Sequence, residues 1–171
     1  MPFVLFQRLD GWARAIFPFC LTLVMMVLGA TPLHVPFLQA LGPVLAMISA
    51  FYWAIHRPTL LPAPAVFVIG LVGDLMGQAP LGVGTVMLLL VYVLAYSQRR
   101  LFLGQPFLVV WWGFMMIVAG AMALGWILAG FVAGAPLDPK PAIFAYVMAI
   151  ALYPALADLF ARAQRSLLRP A

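Results

Sequence analysis

The chain has 171 residues, of which 67% are hydrophobic and only 8% charged, with no glutamate and a net charge of +5. That balance lies outside the range of soluble domains, so lipid is the expected solvent. The arginines sit in small clusters between apolar runs rather than on one basic face, which argues against nucleic acid as a partner.

A membrane-spanning helix needs about 20 apolar residues, so six spans would use about 120 positions and leave only short loops. Breaking the apolar runs at proline, glycine and charge predicts spans at 15–31, 35–55, 60–76, 81–97, 107–134 and 141–161 in one domain, 1–171. The first run follows Arg8 and Arg14 like a signal peptide, but no small-residue cleavage pattern follows, and it counts as a span. Cys20, alone of its kind, lies within it as a small packing residue and precludes an internal disulfide.

With the N-terminus inside, the cytoplasmic segments hold Arg8, Arg14, Arg57, Arg99, Arg100, Arg162, Arg165 and Arg169, and the outer loops hold only Lys140, beside Asp138. Both termini are therefore expected in the cytoplasm. A five-span alternative places either the Arg99–Arg100 pair or the C-terminal arginines on the wrong side. Trp12, Trp53, Trp111 and Trp112 fall near the same cytoplasmic border, where an indole can be half wet, whereas Trp126 does not.

Helices in lipid meet where small residues let backbones approach. The second span carries Gly42, Ala46, Ala50 and Ala54 at four-residue spacing, the clearest packing face in the chain. It reads as internal packing or as contact with a partner's helix. Weaker pairs are Gly73 with Gly77, Gly130 with Gly134, and Ala145 with Ala149. Pro18, Pro62 and Pro64 fall in first turns, whereas Pro43 and Pro154 are expected to kink the second and sixth spans.

Asp74 is the one ionisable residue well inside a span, a costly placement that something must offset. Three possibilities stand: hydrogen bonds from the following turn, with Pro80 opening the fourth span; a protonated carboxyl; or a donor on another protein. A structural cap, a partner contact and an ion or proton path are the corresponding roles. Asp158 and Arg162 form an i,i+4 pair at the cytoplasmic end. His34 and His56 lie on opposite sides and cannot share a metal. An aspartyl mechanism would need Asp74 and Asp158 together, and the topology separates them. Ser49, Ser97 and Ser166 have neither a nucleophile-elbow context nor a placed histidine, and phosphate cradles and zinc motifs are absent. No catalytic residue, metal site or cofactor is expected, and a non-enzyme is the leading class.

The stretch Gly70-Leu71-Val72-Gly73-Asp74-Leu75-Met76-Gly77-Gln78-Ala79-Pro80-Leu81-Gly82 resembles the family of the bacterial rod-shape-determining membrane protein MreD. The aromatic Phe51-Tyr52-Trp53 before it, the basic pair Arg99–Arg100 after the fourth span and the small size look like the same family in layout. The resemblance implies a non-catalytic inner-membrane scaffold of the cell-elongation complex. It would bind MreC, with the MreB filament beneath and the RodA glycosyltransferase and a class B penicillin-binding transpeptidase nearby, and it would help position peptidoglycan synthesis. In fold it implies an all-α bundle like the six-helix substrate-binding subunits of energy-coupling vitamin transporters. Gly70, Gly73, Asp74, Gly77, Pro80, Leu81 and Gly82 would form the family's characteristic turn, structural or partner-binding. The alternative is a vitamin-type binding subunit of a transporter, disfavoured because the outer loops offer little beyond His34, Gln78, Asp138 and Lys140.

Overall fold

The computed structural model describes residues 18–27, 41–77 and 80–167, and these form helices with no strand among them. In chain order they are α1 (Pro18–Val27), α2 (Leu41–His56), α3 (Ala63–Met76), α4 (Val83–Ser97), the single turn α5 (Arg99–Phe102), α6 (Phe107–Ala133) and α7 (Lys140–Leu167). Two of them, α6 and α7, are long and apolar enough by themselves to cross a bilayer. The 14 residues of α3 rise only about 21 Å and the 27 of α6 about 40 Å, so the bundle is built from short central helices beside a long hairpin.

The centre belongs to α2 and α4. Helix α4 packs on α2, α3 and α6, and α7 packs on α2 and α6. Twelve of the 16 residues of α2 are buried, on every face. The ridge of Gly42, Ala46, Ala50 and Ala54 is buried, but so are Val44, Met47, Phe51 and Trp53, so the ridge does not single out one interface. On α6 the buried set Phe114, Ile117, Val118, Ala121, Met122 and Gly125 recurs at three and four residues. The opposite side, with Trp112 and Met116, is equally apolar and exposed, as a lipid-facing surface requires.

Aromatic rings tie α2, α5, α6 and α7 together. Phe51 meets Phe102, Phe114 and Tyr153 at centroid distances of 5.9, 5.1 and 5.8 Å, and Phe114 stacks on Tyr153 at 4.3 Å. Trp53 departs from expectation. It is fully buried against Phe160 rather than half wet, and its indole N–H and the Ser49 hydroxyl one turn earlier have no partner among the described residues. The reason is the depth of α2, which other helices cover down to Ile55. Of the other three tryptophans assigned to that border, Trp112 is exposed, Trp111 is partly buried, and Trp12 lies outside the described residues.

Pro43 lies near the start of the described part of α2, and what precedes Leu41 is outside the described residues. Pro154 lies inside α7, which continues as one helix to Leu167. The Ile150 carbonyl that an ordinary residue 154 would bond instead accepts the Trp111 indole N–H at 3.3 Å.

Candidate functional site

The joint between α3 and α4 begins with a helix that stops early. At the end of α3 the Gly77 N–H still bonds the Gly73 carbonyl at 2.8 Å, after which the backbone turns extended. The chain then reaches Pro80, Leu81 and Gly82, and Gly82 adopts φ +95°, a conformation that disfavours any side chain. Gly82 is the N-cap of α4 and has no side chain with which to cap it. The first N–H groups of α4 therefore need an acceptor from elsewhere.

Asp74 supplies it from the last turn of α3. Its Oδ2 accepts the Gly82 N–H at 2.9 Å, the Thr85 N–H at 3.0 Å and the Thr85 hydroxyl at 2.6 Å. Thr85 is the third residue of α4, the position whose N–H an N-cap side chain ordinarily takes. The carboxylate of one helix thus caps the next, at the end where the helix dipole favours negative charge. Asp74 is 6% exposed and Thr85 3%, so little water competes.

Glycines make the approach possible. A Cβ on Gly70 would lie 2.8 Å from the Thr85 Cα, closer than backbone atoms of neighbouring helices permit. One on Gly84 would run into the Asp74 Oδ1, and one on Gly73 into the Met26 side chain of α1. The joint therefore unites three helices.

Of the seven residues expected in this turn, Gly70, Gly73, Asp74 and Gly82 converge on the joint, and Gly77 and Pro80 shape the connection. Leu81 is 67% exposed and touches none of the capping atoms. Gly84 and Thr85 belong to the joint and were not among the expected residues. Neither carries a capping-box signature, since the N-cap is a glycine and the third helical residue a threonine.

The remaining candidates stay apart. Asp158 and Arg162 pair at 2.6 Å on an exposed turn of α7, a geometry of small energetic weight. Asp138 accepts the Lys140 N–H at 3.0 Å and so caps the start of α7. His56 donates from Nδ1 to the Tyr52 carbonyl at 3.0 Å in the tautomer this contact implies, and stacks on the Tyr52 ring. His34 lies outside the described residues. Among the described residues no three histidine, cysteine or acidic side chains gather as metal ligands. Gly134, paired with Gly130 in the sequence, ends α6 at φ +65°. Asp74 and Asp158 stand on α3 and α7, which share no substantial contact.

An all-helical bundle with apolar outer faces, two bilayer-length helices and a carboxylate spent on capping defines an α-helical membrane protein with a structural joint at the one buried acid among the described residues. The chain belongs to the family of the rod shape-determining protein MreD, whose family model matches residues 12–163. It is accordingly a rod-shape-determining membrane protein. No curated protein matches it. No solved structure matches either, so the expected likeness in fold to vitamin-transporter subunits is not shown.

Proposed function

We propose that the chain is a non-catalytic scaffold of the bacterial cell-elongation complex that binds MreC in the inner membrane and helps position peptidoglycan synthesis. MreB, RodA and a class B penicillin-binding transpeptidase are its expected neighbours in that complex. The observation that carries this reading is the family match across residues 12–163, nearly the whole chain. The joint supports it, because three donors of the same chain occupy the Asp74 carboxylate as a cap would, and this favours a structural role over an ion path.

The bundle is read as one domain crossing the membrane six times, through α1, α2, α3, α4, α6 and α7, with both termini cytoplasmic. Eight arginines on the inner segments against Lys140 outside favour that orientation. The short α3 and α4 reach across by virtue of their loops and local thinning of the bilayer.

Depletion in the rod-shaped cell that makes the chain should round the cells, and MreC should accompany it through purification in mild detergent. Cells that stay rod-shaped after depletion would rule the proposal out. Recovery of the intact chain without MreC would remove the partner assignment.

A further inference from the structure

The short helix α5 joins α4 to the loop before α6 and is held from two sides. Phe102 is buried against the Phe51 ring of α2 at 5.9 Å, and an added Cβ on Gly113 of α6 would run into the Phe102 ring, so that glycine makes its seat. Gly104, at φ +84°, then turns the chain toward Pro106. Arg99 and Arg100 stand on this fixed turn. The Arg99 guanidinium lies over the Tyr96 ring at 5.4 Å, and Tyr96 stacks in turn on Tyr92 at 6.2 Å. A guanidinium held by its face keeps its N–H edge available for a bidentate oxyanion.

Among the described residues no carboxylate answers the pair. The chain has four acids, Asp10, Asp74, Asp138 and Asp158. Asp74 is spent on the joint, the length of α4 away, and Asp138 caps α7, the length of α6 away. Asp158 pairs with Arg162 at 2.6 Å. Asp10 lies outside the described residues, between Arg8 and Arg14 in the sequence. Two adjacent fixed cations therefore call for an anion from outside the chain.

Their neighbours define its chemistry. Leu101 is 67% exposed and Leu103 49%, and Leu108 and Trp112 are exposed at the start of α6. Such apolar surface beside two guanidinium groups matches a molecule with an anionic head and hydrocarbon tails at the edge of the bilayer. A free phosphate ion or an acidic peptide would answer the arginines and leave the leucines uncovered. A zwitterionic lipid carries an ammonium that the arginines repel.

We infer that the Arg99–Arg100 turn is a docking site for an anionic phospholipid, whose phosphate the two guanidinium groups take and whose acyl chains cover Leu101 and Leu103. The inference goes beyond scaffolding, and it rests on the membrane-spanning arrangement and on no protein partner.

Native mass spectrometry of the full chain, taken from bilayers of equal phosphatidylglycerol and phosphatidylethanolamine, tests it. The unaltered chain should retain phosphatidylglycerol in preference. Arg99→Gln combined with Arg100→Gln should cut that preference about twentyfold, from about fivefold for each arginine near an anionic surface. Arg99→Lys, which keeps the charge but loses the fork and its stacking plane, should cut it in part. Lys140→Gln removes one charge at the far end of α6 and should leave it unchanged. Equal retention of the two lipids, an unchanged preference in both the double variant and Arg99→Lys, or an equal loss in Lys140→Gln would each overturn the site. Displacement of the lipid by inorganic phosphate or by a glutamate-rich peptide at equal concentration would overturn it in favour of a free anion or an acidic protein segment. Alkaline carbonate extraction run alongside separates the two readings. A chain released by carbonate defeats the membrane-spanning arrangement, whereas a resistant chain without the lipid preference defeats this inference only.

Discussion

The α3–α4 joint and the α6–α7 hairpin solve the same problem, holding two antiparallel helices together where apolar burial gives no drive, by opposite means. The joint uses one carboxylate, three short hydrogen bonds and glycines that bring backbones together. The hairpin uses length, stacked rings and two side-chain bonds to backbone carbonyls, Trp111 to Ile150 and Tyr146 to Met115. At its loop end an apolar groove of about 470 Å³ runs along Trp126, Phe131 and Leu137. The short pair is also the more closely packed of the two, so its polar lock sits where the backbones approach most closely.

If that contrast is right, damage to the joint should outweigh any single change in the hairpin. Asp74→Leu leaves two backbone N–H groups and a hydroxyl buried without an acceptor, at a cost of about 4 kcal/mol or more. The expected outcome is a chain that no longer withstands mild detergent, read by unfolding in mixed micelles. Asp74→Asn keeps an oxygen acceptor and should cost about 1–2 kcal/mol. Equal loss with both would point to a role for the charge beyond capping.

Glycine substitutions sharpen the comparison next. Gly70→Ala forces α3 away from the Thr85 backbone and should cost about 1–3 kcal/mol. Gly120→Ala on α6, where an added Cβ meets nothing within 4 Å, should be neutral or gain up to about 1 kcal/mol from helix propensity. Similar penalties at both positions would erase the distinction between the two regions. Within the joint, Thr85→Val removes the 2.6 Å hydroxyl bond and should cost about 1–2 kcal/mol, whereas Thr85→Ser should restore most of it.

How much of this was legible in the sequence depends on polarity. The helical class followed from composition, and the turn around Asp74 stood out because an acid inside an apolar run demands compensation. The donor Thr85 was harder to see, since a threonine near a helix start is common and its partner lies eleven positions back. Packing faces were least legible. On α6 both the buried and the lipid-facing stripes are apolar, so hydropathy periodicity cannot distinguish Phe114 from Met116. On α2 the small-residue ridge was visible, but burial on every side robs it of meaning, and the same burial left the Trp53 indole covered rather than half wet. The Tyr153 ring stack depends on how α2, α6 and α7 meet, which no local pattern encodes.

The smallest effect tests the hairpin's own logic. Trp111→Phe keeps an aromatic ring but leaves the Ile150 carbonyl unpaired, because Pro154 has no N–H to offer it, and should cost about 1 kcal/mol. In a Pro154→Ala background the new N–H bonds that carbonyl along the helix, and the same Trp111→Phe change should cost close to nothing. The double-mutant coupling is therefore about 1 kcal/mol, the worth of one indole bond. Additive effects would mean that the indole stabilises α7 only by packing, and the hairpin would then rest on apolar contact alone, making its contrast with the joint sharper than drawn above.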